Sequence, residues 1–122
     1  MKDRRKTKRR YLLYYMRVYD TDTREHIGNL VDITAKGMMI VNPRPLIEGK
    51  TYHLRLELSG EVSQKPHMDF SAVSIWCKPD IDPSLFNTGF EIVEIGAEDA
   101  RIIKRIIEIF SFRDNRPEPA NA

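Results

Sequence analysis

Apolar and polar residues alternate along most of this chain, and the period is two. Between Tyr11 and Tyr19, Leu12, Tyr14, Met16 and Val18 fall on one face and Leu13, Tyr15, Arg17 and Tyr19 on the other, the signature of a strand with one buried side. Asp20-Thr21-Asp22-Thr23 supplies turn chemistry, and an extended pattern resumes from Ile27 to Ile33, which predicts a hairpin. Met38 to Val41 is a short apolar strand closed by Asn42-Pro43-Arg44-Pro45, where two prolines cannot donate to a ladder. Tyr52 to Leu58 alternates strictly, with Leu54, Leu56 and Leu58 against His53, Arg55 and Glu57. Met68 to Cys77 sets Phe70, Ala72, Ser74 and Trp76 on one face opposite Ser71, Val73, Ile75 and Cys77, and Thr88 to Ile95 forms a sixth strand.

After Gly96 the period changes. Ile102, Ile103, Ile106, Ile107 and Phe110 recur at helical spacing, with Glu98 and Asp99 where a helix N-terminus favours acids, so an amphipathic helix spans about residues 97–112. Residues 113–122 hold two prolines and no period and read as a mobile tail. Six short strands and one closing helix predict a mainly β fold, a small six-stranded antiparallel barrel with a single C-terminal helix.

At 122 residues the chain has room for one domain, taken as residues 11–112 behind a flexible basic arm at 1–10. The longest uncharged stretches are eight residues, far short of the roughly 20 that a membrane span needs. The apolar run from Tyr11 stops at Arg17, too short for a signal-peptide core of about 7–15 residues, so a cytoplasmic location is expected. Cys77 is the single cysteine and has no internal disulfide partner. Net charge is +2, but residues 1–10 hold seven basic side chains against Asp3, a local +6, while the remaining 13 basic and 17 acidic residues leave −4. A basic arm on a mildly acidic body is an electrostatic footprint for phosphate.

Catalysis finds little support. His26, His53 and His67 lie on separate elements without metal-ligand spacing, Cys77 has no evident base, and no nucleophile elbow, phosphate loop or paired-carboxylate signature occurs, so neither an enzyme nor a metal or cofactor site is expected. Two short patterns remain: Arg5-x-x-x-Arg9 ahead of the first strand, and Asp32-x-Thr34-x-x-Gly37 where strands two and three meet. Each is weak alone, because turns use Asp, Thr and Gly for their own hydrogen bonds and backbone needs.

Together, on a barrel followed by a helix and with Gly89-Phe90 in the last strand, they resemble the PilZ domain family, small β-barrel receptors for the bacterial second messenger cyclic di-GMP. The resemblance runs from about residue 3 to about residue 112. It implies a ligand site built from Arg5, Arg9, Asp32, Thr34 and Gly37, with Arg4 and Arg10 as further contacts, and Thr34 standing where the family usually has serine. It also implies relay to a downstream effector protein by ordering of the arm. Guanidinium groups can fork onto phosphate, pair with guanine O6 and N7 and stack on a base, and a carboxylate can accept from guanine N1–H and N2–H. Two other readings stay open: a ligand-independent adaptor, and a nucleic-acid binder through the arm with Lys6 and Lys8, which the acidic body disfavours.

Overall fold

In a computed structural model, residues 16–115 are described, with side chains as far as residue 109. Arg4, Arg5, Arg9 and Arg10, the first part of the predicted first strand and the end of the predicted tail lie outside the described residues. Six strands follow in chain order: β1 (Arg17–Asp20), β2 (His26–Ile33), β3 (Gly37–Asn42), β4 (Thr51–Glu57), β5 (His67–Pro79) and β6 (Phe86–Glu94). They close into an all-antiparallel barrel in the order β1-β2-β3-β6-β5-β4. Closure leaves no free sheet edge and gathers the inward positions into one core.

The strict alternation of β4 explains its burial. Leu54 and Leu56 are fully buried, while His53 faces out and pairs with Ser71 Oγ at 3.0 Å. Met16, just ahead of β1, and Val18, Leu30, Ile33, Ile40, Met68, Ala72 and Phe90 from the other strands join them in the interior. Helix α1 (Ala97–Asn115) adds Ile102, Ile103 and Ile106 to the same core, together with Val62 from the β4–β5 connection. Its first turn is tied to that connection by Lys65 Nζ, 2.7 Å from Asp99 Oδ1 and 3.8 Å from Glu98. The helix runs three residues beyond the expected end because the first breaker is Pro117, which disfavours helical backbone at residue 116.

The two barrel ends differ. The β2–β3 hairpin and the helix lie at one end. At the other, residues 43–50 leave β3 and reach β4 by passing the ends of β6 and β5. This strap is held by polar side chains that point inward: Asn42 Nδ2 donates to Arg44 O, Ser74 Oγ donates to Ile47 O, and Tyr52 Oη accepts from Ile47 N. Thr88 Oγ1 donates to Asn42 Oδ1 at 2.9 Å, so the buried polar residues of this end satisfy one another.

Candidate functional site

Asp32 reaches the surface through a break in alternation. Gly28 and Leu30 are buried, so strict period two would bury Asp32 as well. The β2–β3 register instead shifts between Leu30 and Asp32, and the bulge at Val31 turns Asp32 outward and Ile33 inward. Asp32 Oδ1 accepts from Ile33 N at 3.0 Å. The chain then turns at Thr34, whose N–H donates to Gly37 O at 2.7 Å and whose Oγ1 accepts from Gly37 N at 3.1 Å and Lys36 N at 3.3 Å. Thr34 thus spends its hydroxyl on the turn, which threonine can do as serine can. Gly37 is required for close approach rather than for a left-handed backbone, because a Cβ there would lie 2.2 Å from Phe90 O.

Trp76 reaches the same surface by the same device. Alternation places it with Phe70, Ala72 and Ser74, and the structure corrects this expectation. The β5–β6 register shifts between Ser74 and Trp76, so Ser74 stays inside opposite Phe90 while Trp76 faces out opposite Gly89. A Cβ on Gly89 would fall 2.4 to 2.7 Å from the indole ring atoms, so the missing side chain is the seat of the ring. The paired registers then form one lateral row across four strands: Asp32 beside Met39, Met39 beside Gly89, Gly89 beside Trp76. Met39 and Trp76 are sequence-silent members of this row. A glycine inside an otherwise regular strand was the available sign that something packs against the backbone there.

The row, the Thr34–Gly37 turn and the exposed Ile75 line an open groove of about 270 Å³. Its described lining holds the Asp32 carboxylate, the indole and two methionines, Met38 and Met39, and Lys78 Nζ lies 5.8 Å from the indole centroid. Further cations for a phosphate would have to come from outside these walls. The strand registers provide an entry: Leu30 N donates to Met16 O at 3.0 Å, so the chain enters β1 beside the Asp32 end of β2. The structure brings Asp32, Thr34 and Gly37 together; Arg4, Arg5, Arg9 and Arg10 belong to the segment outside the described residues.

A larger groove of about 500 Å³ lies on the β1–β4 wall, lined by Tyr19, Arg24, Arg55, Glu57 and His67 among others. Its charges are largely internally compensated, with Arg55 forked onto Asp69 at 2.8 and 3.0 Å and Tyr19 donating to Glu57. Cys77 is half-buried, its Sγ accepting from Leu46 N at 3.4 Å. Among the described residues no three His, Cys, Asp or Glu side chains converge as a metal-ligand set, and no helix is long and apolar enough to cross a membrane.

The PilZ domain profile matches residues 3–108. Among solved structures, the chain is similar to the Bacillus subtilis inhibitor of motility MotI/DgrA, at 18% identity and TM-score 0.65, over 83% of this chain and 47% of that one. It is similar to the PilZ domain with c-di-GMP of YcgR from Escherichia coli, at 16% identity and TM-score 0.60, covering 90% and 92%. MrkH of K. pneumonia in its apo state matches at 16% identity and TM-score 0.64, covering 84% and 48%. The chain thus spans about half the length of MotI/DgrA and MrkH, and these likenesses concern the fold. No curated protein matches.

Proposed function

Because this chain belongs to the PilZ domain family, whose members are cyclic di-GMP receptor or adaptor modules rather than enzymes, we propose that its outer groove binds cyclic di-GMP. The carrying observation is the lateral row from Asp32 to Trp76 beside the Thr34–Gly37 turn, with the entry to β1 at its Asp32 end. A flat aromatic seated on bare backbone and a carboxylate three strands away suit a ligand with two guanines: one base stacks on the indole, and the carboxylate accepts from N1–H and N2–H of the other. Gly37 lets β3 lie close against Phe90 of β6, and the Thr34 turn holds Asp32 and Gly37 in register.

Arg5 and Arg9 complete the site in this reading by forking onto phosphate and pairing with guanine O6 and N7, and Arg4 and Arg10 add charge and further contacts. Ligand binding then fixes the arm against the barrel, and the ordered arm is what an effector protein reads. No cofactor is required.

Isothermal titration with cyclic di-GMP, with GTP and cyclic AMP as controls, tests this. The expected outcome is selective binding that quenches or shifts the emission of Trp76, the single tryptophan. Arg9→Ala should lower affinity at least about tenfold, a charge-assisted contact of roughly 1.5–3 kcal/mol, with the fold unchanged. Asp32→Ala should weaken cyclic di-GMP more than an unrelated dinucleotide. Absence of heat and of any emission change would make the chain a ligand-independent adaptor.

A further inference from the structure

The bulge that aims Trp76 outward creates a problem that the strap solves. β4 begins at Thr51, opposite Val73, so beyond that point β5 has no strand on its β4 side. The strap continues the ladder for one step, with Ser74 N donating to Lys50 O at 3.0 Å and Gly49 N to Ser74 O at 2.7 Å. The bulge then reverses which backbone groups face this side, so that Cys77 N points at the strap instead of at β6. The Glu48 carboxylate takes that N–H at 2.8 Å. A carboxylate accepting from a backbone N–H is a charge-assisted bond, stronger than its neutral counterpart.

We infer that Glu48 is a positioning residue for the indole of Trp76: by capping the Cys77 N–H it holds β5 in the shifted register that seats the ring over Gly89 and so sets the wall of the groove. The strap grips both flanks of Trp76, at Ser74 before it and at Cys77 after it, where Leu46 N also donates to Sγ. With the cap gone, Cys77 N–H turns to water and β5 can relax toward regular alternation, which would carry the indole away from its seat. The inference rests on the groove being the ligand site only for its consequence on affinity; its consequence on the ring is a property of the free protein.

Two variants separate these. Glu48→Ala removes the acceptor, and Glu48→Gln keeps an oxygen that can accept the same N–H while removing the charge. In free protein, Glu48→Ala should make Trp76 emission more accessible to acrylamide and the Cys77 amide faster to exchange with solvent, and Glu48→Gln should restore both. With cyclic di-GMP, Glu48→Ala should weaken binding roughly three- to tenfold and Glu48→Gln by less than about twofold. Unchanged quenching in Glu48→Ala, or Glu48→Gln behaving like Glu48→Ala in quenching, overturns the inference. So does an unprotected Cys77 amide in the unsubstituted protein, which decides the matter even if Glu48→Ala does not fold. If the unsubstituted protein binds no cyclic di-GMP, the receptor reading fails while quenching and exchange still judge Glu48.

Discussion

Gly37 and Gly89 serve one site through different constraints. The Cβ that alanine would add at Gly37 meets the carbonyl of Phe90, a backbone atom locked in the β3–β6 ladder. At Gly89 the atoms nearest the new Cβ all belong to the indole of Trp76, a partly exposed side chain that can turn away. Gly37→Ala should therefore destabilise the fold by about 1–3 kcal/mol, the usual cost of overpacking. Gly89→Ala should cost less, because the ring yields and alanine also restricts the unfolded chain, worth about 0.4–1 kcal/mol in the other direction. Urea unfolding followed by Trp76 emission checks both: a large stability loss is expected at position 37, and a changed native spectrum with a small loss at 89. The reverse order would mean that the ring, not the ladder, is the rigid partner.

Among the elements, the β1–β2 turn carries a mismatch between residue and backbone. Arg24 adopts a left-handed conformation at φ 66°, closing the turn with its N–H on Asp20 O while Asp20 Oδ1 accepts from Asp22 N and Thr23 N. Asparagine tolerates that conformation and a β-branched residue does not. Arg24→Asn is expected to stabilise by about 0.5 kcal/mol and Arg24→Val to destabilise by about 1 kcal/mol, read from urea midpoints; equal midpoints would show that the turn relaxes freely. The β4–β5 pair carries a pH signature. The Arg55 guanidinium, forked onto Asp69, holds its carboxyl below the ordinary carboxylate value, with His67 adding a smaller pull. A carboxyl that titrates lower folded than unfolded contributes stability above its unfolded pKa of about 3.9 and loses it as pH falls through the folded value. The stability gap between the unsubstituted protein and Arg55→Ala should thus be small at neutral pH, since the pair is exposed, shrink with salt, and close as pH drops below that range. A gap independent of pH would assign the effect to lost packing of the arginine stem.

For the whole molecule, charge and topology divide the work. The chain from residue 11 onward is acidic overall and the groove carries the Asp32 carboxylate, while a net +6 sits in residues 1–10. Closed strand order puts the start of β1 beside the Asp32 end of β2, and the proposed receptor would draw its phosphate contacts from the basic segment and its base contacts from the barrel. The opposite end of the barrel is occupied by the strap, whose inward-pointing Asn42, Ser74 and Thr88 are polar residues at positions that otherwise read as core.

Period-two alternation in β4, the helical spacing of Ile102, Ile103 and Ile106, and the change of period after Gly96 were enough to specify strands, a closing helix and the fold class, because each depends on residues within a few positions of one another, while the helix end at Asn115 lay three residues past the expected one. The turn from Thr34 to Gly37 was legible for the same reason. Where Asp32 and Trp76 point was not. Each is re-aimed by a single extra residue in one strand, and a bulge leaves no periodic trace of its own; it exists only in the register against a partner strand far away in sequence. Glu48 is hidden likewise, since its acceptor role follows from β4 beginning only at Thr51, opposite Val73, a fact of strand pairing that the local sequence around residue 48 does not contain.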